Sequence, residues 1–273
     1  MEKLKLGVIV STSDKPEESI KEVKKFDLST CQIACWDEKY LNPNYAKLLK
    51  NIANENGVEI TTIWVGWPGP GEWNFIHGPL TLGLVPTAYR EKRLEVLKKG
   101  SDFARDTGVN SITTHVGFIP ENPNDPAYPE LIVALINLVR YCKANNQYFC
   151  FETGQETPVT LLRTIQDISE DNVGINLDPA NLIMYGKASP VDSLDVFGKY
   201  VKGVHAKDGV YPTTGRELGK EMPLGSGKVN FPVFIQKLKD LGYRGALTIE
   251  REISGPQQIE DIKKAIKFLQ VLI

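Results

Sequence analysis

Short apolar segments of strand length alternate along the chain with longer segments in which apolar residues recur at helical spacing. The apolar segments are, in order, LKLGVIV, TCQIACW, VEITTIWVG, NSITTHVG, YFCFETG, VGINLDP, VKGVHAKD and RGALTIE. Segments such as YAKLLKNIANEN, LIVALINLVRYCKANN and FPVFIQKLKDL lie between them and have the period of an amphipathic helix. The pattern therefore predicts eight strand–helix units in strict alternation.

Glycine or asparagine stands where several of the predicted helices end. Gly57, Gly108 and Gly242 each precede the next strand, and Asn146 does so in KANNQYF. These residue types readily adopt the left-handed backbone conformation that closes a helix. Helices that end so close to the next strand favour parallel strands with helical crossovers.

Eight such units predict an α/β fold, a closed (β/α)₈ TIM barrel formed by residues 1–273 as a single domain. The alternative is an open doubly wound sheet, which typically has a glycine-rich fingerprint after its first strand. The first strand here continues as VIVSTSDKPEES and has no such fingerprint. We therefore expect the barrel.

Titratable residues stand at the ends of consecutive predicted strands. The fifth to eighth strands end at Glu152, Asp178, His205 and Glu250, and the fourth carries His115. Because side chains alternate between the faces of a strand, these residues share a face with small or polar neighbours. The carboxyl ends of parallel strands meet at one mouth of a barrel, where the active sites of such barrels lie. We therefore expect these side chains to converge at that mouth.

Converging carboxylates in a partly buried space need a compensating cation. Three carboxylates and one imidazole favour a divalent ion that prefers oxygen ligands. The prediction is therefore one divalent metal ion, with Mn²⁺ first and Co²⁺ or Mg²⁺ as alternatives. Zn²⁺ is the less favoured occupant, because it usually recruits more His or Cys ligands.

Two long connections, residues 66–88 and 209–229, are rich in glycine and proline and would both lie over the mouth of a barrel. The first carries Trp67 and Trp73, which offer enough apolar surface to cover a small ligand. It is interpreted either as a lid over the site or as a packed surface loop. The second contains GSGK, which does not match the spacing of a P-loop and follows no strand directly.

Arg90 and Arg93 fall in the first turns of a predicted helix, the end at which the helix dipole disfavours cations. We expect them to pair with neighbouring acids such as Glu91 or Glu95.

Composition limits the functional classes. The 273 residues carry a formal net charge of −2 with acids and bases interspersed, so the chain lacks the basic stripe of a nucleic-acid-binding protein. No apolar run has the length of a membrane span, and the first residues do not resemble a signal peptide. The four cysteines form no CxxC pair and are expected to be reduced core residues. We expect a cytoplasmic protein without membrane or nucleic-acid partners.

The segments FETG (151–154), NLDPAN (176–181), VHAKD (204–208) and TIERE (248–252) resemble the xylose-isomerase-like TIM barrels, which are sugar and sugar-phosphate isomerases and epimerases. The resemblance extends through all eight units. It implies that Glu152, Asp178, His205 and Glu250 hold one metal ion. It also implies that Glu152 and Glu250 act as acid and base on opposite faces of the substrate.

The chain departs from many epimerases of this group in two places. Asn181 stands where they have a histidine three residues after the strand-six aspartate, and Lys207 or Arg216 stands in place of an arginine that follows the strand-seven histidine. Together with His115 and Trp67, these residues are the predicted substrate contacts. Because these residues are predicted to contact the substrate, the two differences bear on which sugar the protein binds.

The leading hypothesis is a metal-dependent sugar epimerase or aldose–ketose isomerase, an isomerase that acts by proton transfer through an enediolate on a ketose, sugar acid or sugar phosphate. The alternatives are a metal-dependent lyase or dehydratase acting on a keto-inositol or sugar acid, and a non-catalytic sugar-binding barrel. An endonuclease IV-type nuclease is less favoured, because it builds a three-zinc site from many histidines and this chain has three. The sequence leaves the oligomeric state open between a monomer and a homo-oligomer, either dimer or tetramer.

Overall fold

The computed structural model describes residues 3–273, whose backbone forms a closed barrel of parallel strands surrounded by helices. The strands are β1 (Leu6–Ser11), β2 (Thr30–Cys35), β3 (Glu59–Val65), β4 (Ser111–Thr114), β5 (Tyr148–Glu152), β6 (Val173–Leu177), β7 (Val201–Ala206), β8 (Asp208–Gly209), β9 (Glu221–Met222) and β10 (Leu247–Ile249). Strands β8 and β9 form a separate antiparallel pair, and the other eight follow chain order around the barrel until β10 pairs with β1. The predicted (β/α)₈ barrel is confirmed.

Helices connect the strands of the barrel. They are α1 (Pro16–Lys25), α2 (Pro43–Glu55), α3 (Gly78–Thr81), α4 (Thr87–Thr107), α5 (Ala127–Ala144), α6 (Pro158–Ile168), α7 (Pro179–Met184), α8 (Pro190–Phe197), α9 (Phe231–Asp240) and α10 (Pro256–Gln270). Several of them begin with proline, whose missing N–H and restricted φ suit a first helical position. None of the helices within residues 3–273 has both the length and the apolar character to cross a membrane.

The helix ends confirm the prediction that glycine or asparagine in the left-handed conformation closes several helices. Gly57, Gly108 and Gly242 have φ values of 60°, 90° and 82°, and Asn146 has a φ of 57°. The left-handed conformation turns the chain back toward the barrel directly after α2, α4, α5 and α9. Each following strand therefore begins close to the end of its helix, which keeps all eight carboxyl ends of the barrel strands at one mouth.

The two faces of the barrel strands differ as the alternation predicts. Phe149, Phe151, Ile175 and Leu177 belong to the hydrophobic core and are at most 1% exposed. The opposite face carries small or polar side chains that bond to one another across the barrel interior; they include Gln32, Thr62, Ser111, Cys150 and Asn176. The interior is thus polar, unlike the branched apolar filling typical of these barrels.

The loop that contains GSGK wraps around a carboxylate. Asp208, the first residue of β8, accepts backbone N–H groups from Gly209, Gly225, Gly227 and Val229 at 2.9 to 3.0 Å. Four such donors satisfy an ionised carboxylate inside the protein. These bonds hold the segment after β9 against the start of β8, which agrees with the expectation that GSGK is not a P-loop.

Candidate metal centre and substrate cavity

Four side chains that could ligate a metal ion meet at the mouth formed by the carboxyl ends of the barrel strands. Glu152 is the last residue of β5, His205 lies in β7, and Asp178 and Glu250 directly follow β6 and β10. One ligand atom of each lies within 4.8 Å of the other three. Their side chains are only 0% to 15% exposed. The structure thus brings together the four residues selected from the strand ends.

The atoms at the centre of this cluster lack the hydrogen bonds that buried polar atoms normally make. His205 Nδ1 lies 2.8 Å from Glu152 Oε1, 3.0 Å from Glu250 Oε2 and 3.9 Å from Asp178 Oδ2. Among the described residues, His205 Nδ1 and Asp178 Oδ2 have charged neighbours at ion-pair distance, but neither atom makes a hydrogen bond with suitable geometry. A cation placed between them would satisfy both atoms. Three carboxylates and one imidazole fit an oxygen-preferring divalent ion.

The second polar atom of three of these side chains is already engaged by the protein. Asp178 Oδ1 accepts the Asn181 N–H at 2.9 Å as the N-cap of α7. Glu152 Oε2 accepts Asn176 Nδ2 at 2.5 Å, and His205 Nε2 lies 2.8 Å from Gln32 Oε1. One atom of each side chain therefore remains for an ion.

Neither Gln32 nor Asn176 is among the site residues predicted from the sequence. The available signal for Gln32 was a lone amide in the otherwise small and apolar strand TCQIAC.

Burial and mutual charge shift the pKa values of the cluster. Burial raises the pKa of Asp178 to about 8, against the lowering effect of Lys207. Burial also opposes ionisation of Glu250, but Lys207 and His205 hold its pKa well below its usual range. Burial disfavours the charged form of His205, yet Glu152 and Glu250 raise its pKa well above the ordinary value. Protons therefore compete with a cation for Asp178 and His205.

Lys207 lies beside the cluster and is 2% exposed. Its Nζ lies 2.8 Å from Glu252 Oε1, 3.4 Å from Glu250 Oε2 and 3.5 Å from Asp178 Oδ2. These carboxylates outweigh the effect of burial and raise the pKa of Lys207 well above its ordinary value. The ammonium group is therefore a fixed positive charge at the site. Sequence reasoning missed its partner Glu252, although Glu252 lies in the quoted TIERE segment.

A cavity of about 430 Å³ opens at the cluster. Besides Glu152 and Glu250, its lining includes the aromatic side chains of Trp36, Trp64, Trp73 and Tyr185 and the polar side chains of His115, Asn181, Lys207 and Glu252. Three predicted substrate contacts, His115, Asn181 and Lys207, thus lie in the cavity wall. Burial lowers the pKa of His115, so its imidazole is neutral, and its Nδ1 makes no hydrogen bond to the described residues.

The structure places the other two predicted substrate contacts outside the cavity wall. Trp67 is 5% exposed and packs behind Trp73, with their ring centroids 6.2 Å apart. Trp73 is 41% exposed and lines the cavity. Arg216 is an exposed residue of the β8–β9 connection, and its backbone oxygen accepts the Phe75 N–H from the facing loop.

The first long connection is held over the mouth by Arg93, which is fully buried in α4. Its guanidinium donates to the backbone oxygens of four loop residues at 2.6 to 3.1 Å, namely Pro68, Pro70, Thr81 and Gly83. It also lies 4.2 Å from the ring centre of Trp67. The expected pairing of Arg93 with Glu91 or Glu95 is wrong, because the guanidinium points into the loop.

Arg90 likewise donates to backbone oxygens, those of Leu84 and Val85, and forms an ion pair with Glu130 instead of Glu91 or Glu95. Both arginines therefore satisfy loop carbonyls that would otherwise be buried without donors. Their hydrogen bonds anchor the connection formed by residues 66–88.

Residues 20–272 match the family model described as xylose isomerase-like TIM barrel. The chain belongs to this family. Within it, the crystal structure of a xylose isomerase domain protein from Planctomyces limnophilus is 32% identical, covers 99% of this chain and 98% of that chain, and has a TM-score of 0.94. An uncharacterized protein of Methanocaldococcus jannaschii is 24% identical over 98% of this chain and 88% of its own length.

More distant structures with the same fold include sugar epimerases. The 3-keto-D-glucoside 4-epimerase of E. coli is 16% identical, with a TM-score of 0.72 over 98% of this chain and 100% of that chain. At 16% identity, the match shows only that the two proteins share the barrel fold.

Proposed function

We propose that this protein is a sugar epimerase or aldose–ketose isomerase that depends on one divalent metal ion. The proposal is carried by the buried convergence of Glu152, Asp178, His205 and Glu250 around two polar atoms that make no hydrogen bond, at the wall of a cavity of about 430 Å³. The presence of a sugar epimerase among proteins of the same fold supports a carbohydrate substrate.

The four side chains would hold the ion, with Mn²⁺ as the first candidate. When bound, the ion supplies Lewis-acid stabilisation of the negative charge that develops on the substrate carbonyl as a neighbouring C–H proton leaves. Asp178 and His205 are absent from the cavity lining, whereas Glu152 and Glu250 are part of it. This division favours Asp178 and His205 as holding groups and the two glutamates as the groups that also reach the substrate.

Glu152 and Glu250 are assigned the proton transfers. They come from β5 and β10, between which β6 and β7 stand in the barrel wall, so they approach a substrate in the cavity from different sides. One glutamate, as a carboxylate, removes the proton to give the enediolate, and the other, which carries a proton taken up from solvent, delivers that proton to the opposite face. The result is inversion of the carbon centre.

The remaining wall residues position the sugar. His115 is neutral and has a ring nitrogen free to bond a hydroxyl group. Lys207 and Asn181 lie together, with 3.4 Å between Nζ and Oδ1, and offer an ammonium and an amide to further oxygens. Trp73 provides an apolar surface beside His115, with ring centroids 5.2 Å apart. Arg216 is still predicted to bind the substrate. Trp67 is predicted to act indirectly, through its packing against Trp73.

Turnover in D₂O tests the mechanism. Ketoses, keto-acids and their phosphates are screened with added Mn²⁺, and the product of an active substrate should carry deuterium at the inverted carbon. Glu152→Gln and Glu250→Gln should each stop epimerisation, because one of the two proton transfers is lost. Product that contains no solvent deuterium would overturn the two-glutamate assignment.

The same screen tests the reaction class and the metal. Chelation should abolish activity, and Mn²⁺ should restore it; full activity in the metal-free protein would overturn the proposal. A product lighter by one water would instead identify a dehydratase acting on a sugar acid or keto-inositol.

A further inference from the structure

A chain of hydrogen bonds beneath the candidate metal centre joins two of its ligands through two amide side chains. His205 Nε2 contacts Gln32 Oε1 at 2.8 Å, Gln32 Nε2 donates to Asn176 Oδ1 at 2.9 Å, and Asn176 Nδ2 donates to Glu152 Oε2 at 2.5 Å. All four side chains are at most 2% exposed. We call this chain of Gln32, Asn176, Glu152 and His205 the polar relay.

The direction of every bond in the polar relay follows from the carboxylate at its end. Ionised Glu152 only accepts, so Asn176 must present its NH₂ group to it and its carbonyl oxygen to Gln32. Gln32 then presents its NH₂ group to Asn176 and its carbonyl oxygen to His205. An amide oxygen only accepts, and therefore Nε2 of His205 must carry a proton.

These bond directions decide which atoms of His205 and Glu152 are left to bind the metal ion. With one proton held on Nε2, a metal ion that displaces the other proton of His205 meets the lone pair of Nδ1, which lies 2.8 Å from Glu152 Oε1 at the centre of the four-ligand cluster. We propose that Gln32 and Asn176 are positioning residues that hold His205 by Nε2 and Glu152 by Oε2, so that Nδ1 and Oε1 are presented together to the metal ion. This inference rests on the metal-binding part of the proposed function.

The surroundings favour a positioning role over simple packing. A second cavity of about 500 Å³ reaches Gln32 and Asn176 from the opposite end of the barrel, where Lys5, Lys202 and Arg244 lie. The two amides are therefore not forced into place by tight apolar packing on that side. Gly203 in β7 leaves the space that the amide of Asn176 occupies, because a Cβ there would lie 2.2 Å from Asn176 Oδ1.

Metal affinity tests the inference without requiring a substrate. Mn²⁺ is titrated into the metal-free protein, and the dissociation constant is compared between the wild type and relay variants. Gln32→Met has a similar size but no acceptor, and Asn176→Leu has no donor; each should weaken Mn²⁺ binding by about 10- to 100-fold. Gln32→Glu keeps the acceptor for His205 Nε2–H but loses the donor to Asn176, so it should bind Mn²⁺ more tightly than Gln32→Met and more weakly than the wild type.

Thr113→Val is the matched control. Thr113 lines the same second cavity and contacts Thr62 at 3.3 Å, outside the polar relay, so its Mn²⁺ affinity should equal that of the wild type. Gly203→Ala removes no relay atom but displaces Asn176, and it should weaken Mn²⁺ binding. Gln32→Glu and Gly203→Ala decide the question if the apolar variants do not fold.

NMR spectroscopy reports directly on the proton at His205 Nε2. The chain has three histidines, so ¹⁵N-histidine spectra of the metal-free protein are simple to assign. His205 Nε2–H should exchange slowly with water in the wild type and rapidly in Gln32→Met.

Two results would overturn the inference: folded Gln32→Met and Asn176→Leu proteins that bind Mn²⁺ as tightly as the wild type, or a His205 whose Nε2 carries no proton in the wild type. Failure of the wild type itself to bind any divalent ion would instead refute the proposed function.

Discussion

Glu156 is a buried carboxyl group in the loop between β5 and α6, four residues after Glu152. It is 3% exposed, and its Oε1 has no hydrogen-bond partner among the described residues. Burial raises the pKa of Glu156 to about 8, against the effect of its backbone hydrogen bonds and of Lys187. It does not line the substrate cavity. Its protonation therefore concerns the stability of the loop that follows Glu152.

The free energy of unfolding should decrease as the pH rises, because of the Glu156 carboxyl group. Below pH 4.5, its ordinary pKa, the carboxyl group is protonated in both folded and unfolded chains. Between pH 4.5 and about 8 only the unfolded chain ionises, so stability decreases by up to about 1.4 kcal/mol for each pH unit. Glu156→Gln removes this dependence and should gain stability relative to the wild type as the pH rises toward 8.

Denaturant unfolding of both proteins at several pH values measures the difference. Glu91→Gln, at an exposed position of α4, is the control and should follow the wild type. A constant difference between Glu156→Gln and the wild type from pH 5 to 8 would contradict the prediction.

At the scale of elements, α4 and the loop before it behave as one unit. Arg93 bonds four loop carbonyls and stacks on Trp67, which in turn packs against the cavity-lining Trp73. The loop also meets the end of β4, where Gly83, with a φ of 67°, lies so close to Val116 that a Cβ would approach the Val116 backbone to 2.1 Å. The aromatic wall of the cavity is thus fixed from behind.

Arg93→Lys should loosen this loop. Lysine keeps the charge but cannot reach four carbonyl oxygens at once, so several buried acceptors lose their donor, at a cost of about 1–3 kcal/mol each when unsatisfied. Amide hydrogens of residues 68–83 should exchange faster with solvent, while those of the barrel strands stay protected. Arg140→Lys, at a surface ion pair with Glu170, is the control; equal exchange in both variants would refute the prediction.

At the scale of the whole molecule, the candidate metal centre draws ligands from four strands. An ion bound by Glu152, Asp178, His205 and Glu250 would therefore link β5, β6, β7 and β10 in the folded state only. Folding stability and metal concentration are consequently coupled.

Mn²⁺ should raise the melting temperature of the metal-free protein. At 100 times the dissociation constant the stabilisation is about 2.7 kcal/mol, which corresponds to about 5 °C for a chain of this size. Because Asp178 has a pKa of about 8 and His205 a raised pKa, binding releases protons. The metal-induced shift should therefore be larger at pH 8 than at pH 6, and Asp178→Asn should reduce it. A shift that does not change with pH would contradict the assignment of these ligands.

The alternation of apolar segments determined the barrel, because burying each amphipathic unit leaves few other arrangements. The strand-end positions of Glu152, Asp178, His205 and Glu250 followed from the parity of side chains along strands whose carboxyl ends share one mouth. Gly57 and Asn146 likewise carry a local conformational preference that the sequence displays directly. These features depend on neighbours along the chain and on symmetry of the fold.

The tertiary structure alone decided which side chains meet across the barrel and in the loops. Gln32 contacts Asn176 over a separation of 144 residues, and Arg93 reaches loop carbonyls instead of the acids beside it on its helix. Trp73 faces the cavity while Trp67, six residues earlier, packs behind it. Such contacts depend on strand register, side-chain rotamers and the path of irregular loops, and no local periodicity encodes these, because they minimise the free energy of the whole packed chain.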